Sequence, residues 1–176
     1  MMRILSILFF IGIISTAFII PDKIAKKADK EIAKFYDNDN FKKEIIQFSE
    51  EMNLKTSSEF GEDNLFKIIS GGEFLGYGYI GNALSKTADF DYLVLFDKDF
   101  IITKSKVLVY REEYGGEIGS KRWLKQFIGK NSDSPELIYG KTIVPISGAT
   151  ISVKSMTNAV NDLLRSLKIL QDLKKI

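Results

Sequence analysis

The sequence predicts an α+β fold: an antiparallel meander sheet flanked by helices, preceded by an N-terminal hydrophobic leader or anchor helix. Three observations carry that expectation. The middle of the chain holds two consecutive hairpin patterns, a long amphipathic stripe follows them, and the first residues form an uncharged apolar run. The corresponding division is 1–20 as signal peptide or membrane anchor, 21–52 as an amphipathic helical segment, and 53–176 as one globular domain.

Met1-Met2-Arg3 precedes the apolar run Ile4–Ile20, with small residues Ser15-Thr16-Ala17 after its core. A charged start, a short apolar stretch and small residues are what a signal peptide needs, and the run also approaches membrane-span length. The expected location is therefore the extracytoplasmic side of a membrane, periplasmic or at the cell surface, with the protein tethered by this segment or cleaved from it. Ile24, Ala28, Ile32 and Phe35 then recur at helical spacing opposite lysines. Asp37-Asn38-Asp39-Asn40 reads as a helix-breaking turn, after which Phe41, Ile45 and Phe48 resume the helical pattern.

Strands are expected next. Leu65–Ile69 and Phe74–Ile80 flank Gly71-Gly72, the residues a tight hairpin turn requires. Asp91–Phe96 and Ile101–Tyr110 flank Asp97-Lys98-Asp99 as a second hairpin, with Tyr92, Val94 and Phe96 alternating on one face. A short helix around Lys121–Ile128 follows. In the closing helix Val153, Met156, Val160, Leu163, Leu164, Leu167 and Leu170 form one apolar stripe.

Composition removes many chemistries. The 176 residues include no histidine and no cysteine, which excludes an imidazole base, a thiol nucleophile and Cys- or His-ligated metal. Net charge is +2, so no strong field favours nucleic acid as a partner. Chemistry here rests on carboxylates, hydroxyls, lysines or a borrowed cofactor.

Two motifs invite a phosphate. Gly76-Tyr77-Gly78-Tyr79-Ile80-Gly81 matches a dinucleotide fingerprint in letters, but its alternating aromatics make it a strand with no helix to follow. Its glycines instead mark places where other groups approach the backbone. Ser147-Gly148-Ala149-Thr150, with Ser152 and Ser155, stands directly before an amphipathic helix. Free N–H groups and the dipole at that helix start would suit a phosphate. Simple N-capping by Ser152 or Ser155 is the alternative.

Ser147-Gly148-Ala149-Thr150-x-Ser152 before a helix resembles the covalent flavinylation motif of the FMN-binding domain family, which includes flavoprotein subunits of the Rnf complex and of the sodium-pumping NADH:quinone reductase. Tyr110–Lys130, with Glu112, Gly115-Gly116-Glu117-Ile118, Trp123, Gln126-Phe127 and Gly129-Lys130, is similar to that family's second block. The resemblance implies FMN joined by a phosphoester to Thr150, installed by a flavin transferase that uses FAD and Mg²⁺. It implies an electron carrier more than a stand-alone enzyme, exchanging electrons with a redox partner protein or a membrane electron-transfer complex. Ser147, Gly148, Ala149 and Ser152 accompany Thr150 as candidate cofactor-binding residues. Tyr114 and Trp123 are candidates for packing on the flavin ring, Glu112 or Glu117 for bonding its polar edges, and Gly115 for the surrounding loop. Non-covalent FMN or ligand binding, or a sensory domain in which this segment only starts a helix, are the alternatives.

Overall fold

The computed structural model describes residues 20–176. The expected leader lies almost wholly outside them. Asp22–Tyr36 forms α1, which buries Ile24, Ala28 and Ile32 at a three-to-four-residue spacing. Asp37 ends it in the left-handed conformation, its N–H bonding the Ala33 carbonyl, so the acidic tetrad is the helix stop that its composition suggests.

Beyond that turn the helical expectation for residues 41–52 fails. Lys42–Ile45 is a strand, β1, and only Glu50–Asn53 is helical, as the single turn α2. β1 is polar and largely exposed, and it exists by pairing with its neighbour rather than by burying a face of its own.

Leu65–Ser70 (β2), Glu73–Leu84 (β3), Asp89–Phe96 (β4) and Ile102–Tyr110 (β5) complete a five-stranded sheet in the order β1-β2-β3-β4-β5, antiparallel throughout. The sheet is the expected meander with one strand more than the hairpin patterns showed. Gly71 and Gly72 turn the β2–β3 hairpin with φ of 58° and 83°, positive values that favour glycine at both places. In the β4–β5 turn, Asp97 accepts from the Asp99 and Ile101 N–H groups at 2.9 Å each.

Both faces of the sheet are covered. Phe66, Ile68, Ile80, Leu93, Leu95 and Leu108 pack with the buried stripe of α1. Tyr79, Phe90, Tyr92, Val94 and Phe96 pack on the opposite side with Thr150–Asp172, the helix α4. That double burial explains why β4 is apolar almost without alternation (Phe90 to Phe96), as a strand between two helical layers must be. The glycines of the false fingerprint lie inside β3, where a Cβ at Gly78 would stand 2.4 Å from the Phe66 ring and one at Gly81 2.4 Å from the Tyr92 ring.

Candidate functional site

The site is built where β5, the loop after it and the start of α4 converge. Ile146 and Ala149 close a turn through a 3.2 Å backbone hydrogen bond. Gly148 sits in it at φ 77° with open space where a Cβ would be, so its need is conformational. Ala149 is the N-cap of α4, and Thr150, exposed, is the first helical residue. No side-chain oxygen caps this helix. The capping alternative for Ser152 and Ser155 is thus excluded: Ser152 is buried and spends its hydroxyl elsewhere.

That hydroxyl lies 3.0 Å from the phenol of Tyr110, at the end of β5. The phenol donates its one proton to the Tyr114 carbonyl at 3.1 Å, so it accepts from Ser152. Beside it Gly115, at φ 81°, touches Ala149 so closely that a Cβ there would come within 2.6 Å of the alanine methyl. These two contacts fix the helix start against the loop. Ser147 lies exposed just before them.

The approach to the motif is held from the other side. Short helix α3, Lys121–Leu124, presents Trp123, whose indole N–H donates to the Val144 carbonyl at 2.8 Å. Gln126 accepts from the Val144 N–H at 2.7 Å. Val144 is therefore gripped at both backbone groups. Trp123 is 5% exposed and packs edge-on against Phe127, so its ring lies in the core and acts by positioning. Tyr114 differs: its ring is 77% exposed.

Glu112 faces another task. Its carboxylate accepts from Ser85 Oγ, the Thr87 N–H, Thr87 Oγ1 and the Ala88 N–H, tying down the β3–β4 turn. The Thr87 amide and the Ser85 and Thr87 hydroxyls favour its charged form and hold its pKa down at about 2. Glu117 is exposed on the loop. The structure therefore gathers Ser147, Gly148, Ala149, Thr150, Ser152, Gly115 and the Tyr114 backbone, while Glu112 and Trp123 brace elements around them.

Sequence reasoning did not single out Tyr110 or Asn161. Asn161, buried on α4, brackets Leu137 by accepting from its N–H at 3.0 Å and donating to its carbonyl at 2.8 Å. A lone polar residue beside the apolar stripe was the available signal.

Residues 87–165 match the model of the FMN-binding domain family. Over this span, which runs from the turn before β4 into α4 and contains the whole site, the chain is similar to that family. No curated protein matches the chain significantly. FMN is the cofactor this domain takes, and the residues present fit it: an exposed threonine hydroxyl, a helix start with no side-chain cap, and a glycine turn with open space beside it.

Proposed function

We propose that Thr150 carries FMN through a phosphoester, and that the protein is an exported or membrane-tethered flavoprotein acting in extracytoplasmic electron transfer. The observation that carries this reading is the uncapped start of α4 with Thr150 exposed as its first residue. The first N–H groups of the helix have no intrahelical acceptor, and a phosphate at Thr150 would meet them together with the positive end of the dipole.

Attachment would replace the Thr150 hydroxyl proton with the FMN phosphoryl group of FAD, AMP being the leaving group, in a reaction that needs a separate Mg²⁺-dependent transferase. Bound FMN supplies one- and two-electron redox chemistry that no side chain of this protein offers. The chain's own part is to hold and shield. Tyr110 and Ser152 keep the helix start in register with the loop, Gly115 lets Ala149 seat, and Trp123 and Gln126 fix the approaching segment at Val144. Tyr114 offers an exposed aromatic face beside the site. The leader Ile4–Ile20 supports export, and the electron acceptor is a partner protein or membrane complex.

Intact mass of the protein coexpressed with a flavin transferase tests the reading. An FMN adduct on a peptide containing Thr150, and a fluorescent band after denaturing electrophoresis, are expected. Flavin released wholly on denaturation would leave non-covalent binding, and a colourless protein would leave a sensory or structural domain.

A further inference from the structure

A cavity of about 330 Å³ opens on the α4 side of the sheet, between α4, the loop before β2 and the middle of β3 and β4. It lies away from the attachment point, since Asp162, on its wall, stands about three turns beyond Thr150. The charged residues that line it are both acidic, Glu59 from the loop and Asp162 from α4. No lysine or arginine joins them, in a chain whose net charge is +2. Asp162 gives one oxygen to Arg165 at 2.9 Å, and its second oxygen has no partner among the described residues. Glu59 makes no ion pair among them.

The floor of the cavity is not satisfied by the protein itself. Tyr92 is 2% exposed, and its pairing opposite Gly81 turns its side chain to the α4 face. The phenol lies over Gly81, which lines the same cavity: a Cβ there would stand 2.4 Å from both Cζ and Oη of Tyr92. That hydroxyl makes no hydrogen bond among the described residues. A buried hydroxyl without a partner is costly, and a ligand in the cavity would relieve it.

Tyr79 lines the cavity beside it, the two ring centroids 6.3 Å apart. Its phenol donates to the Glu59 carbonyl at 3.1 Å, so its oxygen remains free to accept. Burial holds both phenols well above their ordinary pKa, helped at Tyr92 by Tyr79 and Asp162 and at Tyr79 by Glu59. Neutral phenol oxygens and ionised carboxylates therefore share one small space.

An ammonium group matches that lining. It carries three N–H donors and a positive charge, which answer carboxylate and phenol oxygens together. A hard divalent metal would need more ligands, and no group of three acidic side chains is gathered among the described residues. Two carboxylates with no cation beside them in the lining favour two positive charges. We infer that this cavity binds a small aliphatic diamine, one ammonium on Asp162 and Tyr92 and the other on Glu59. The inference stands independently of flavin attachment at Thr150.

Isothermal titration calorimetry of the full-length protein in an uncharged detergent tests it, with 1,4-diaminobutane, uncharged butane-1,4-diol and Ca²⁺ as probes. Saturable binding of the diamine in preference to the other two supports the inference. Asp162→Asn should weaken that binding about tenfold, the loss of a hydrogen bond to a charged group. Tyr92→Phe keeps the ring and should weaken it about fivefold. Without diamine the same variant should unfold no earlier than the parent, because the hydroxyl bonds nothing in the protein. Glu59→Gln alters an exposed residue, so it should weaken binding with an unchanged circular dichroism spectrum. Absence of saturable diamine binding, equal binding of the diol, tighter binding of Ca²⁺, or diamine binding untouched by all three substitutions would overturn the inference.

Discussion

The phenol of Tyr110 stands 3.0 Å from the hydroxyl of Ser152, joining the last residue of β5 to the first turn of α4 across 42 positions of sequence. Tyr110→Phe keeps the ring and removes the bond, leaving the Tyr114 carbonyl without its donor. A loss of about 0.5–1.5 kcal/mol is expected, read by denaturant unfolding. Ser152→Ala should cost a similar amount, and the double variant less than the two added, since both remove one interaction.

Thr150 contributes a hydroxyl and little packing. Thr150→Ala should abolish the fluorescent band while unfolding within about 0.5 kcal/mol of the parent, because the residue is exposed and caps nothing. Thr150→Ser, which keeps the nucleophilic oxygen, should restore part of the band. A covalent adduct that persists in the alanine variant would place the attachment elsewhere.

Gly115→Ala should be the most damaging small change near the site. It puts a side chain at φ 81° and a methyl 2.6 Å from the Ala149 methyl. Overpacking and backbone strain together should cost roughly 1–3 kcal/mol. Adding Ala149→Gly should recover the packing part of that loss and leave the strain, which paired thermal melts will separate.

Glu112 makes the β3–β4 turn sensitive to acid. Its folded pKa, about 2, lies below the unfolded carboxylate value of about 4.3. Its contribution is therefore complete above that unfolded value and fades as pH falls toward the folded one. Glu112→Gln should lower stability at neutral pH and flatten the stability profile between about pH 4.3 and 2. Amide exchange at Thr87 and Ala88, whose N–H groups it accepts, should quicken in the same variant.

Asn161→Ala removes both bonds to Leu137 and leaves that backbone buried without partners. About 1–3 kcal/mol is the expected cost. Proteolysis should then begin in the segment around Leu137 before it reaches the sheet.

The legible parts of this fold were those whose signal is local. The stripe of α4 repeats at helical spacing over many turns, and Gly71-Gly72 answers the φ demands of one tight turn. β1 was hidden because Lys42-Lys43-Glu44-Ile45 has no buried face; β2 makes it a strand. The Ser147–Thr150 motif was visible as letters, yet the role of Ser152 depended on Tyr110, which no spacing rule connects to it. Glu112 looked available to a ligand until the Ser85–Ala88 turn was folded against it. Long-range polar partners are what a pattern within one element cannot show.

The helix that begins at Thr150 also supplies Val153, Met156, Val160, Leu163 and Leu167 to one whole face of the core. The proposed attachment point and the structural keystone are thus one element, and it follows every strand of the described residues. The geometry around Thr150, with Ala149 seated on Gly115 and Ser152 on Tyr110, comes into being only when that face is closed. An enzyme that recognises this geometry rather than the bare letters would label finished molecules and pass over incomplete ones, so attached FMN would serve as a quality mark on folding.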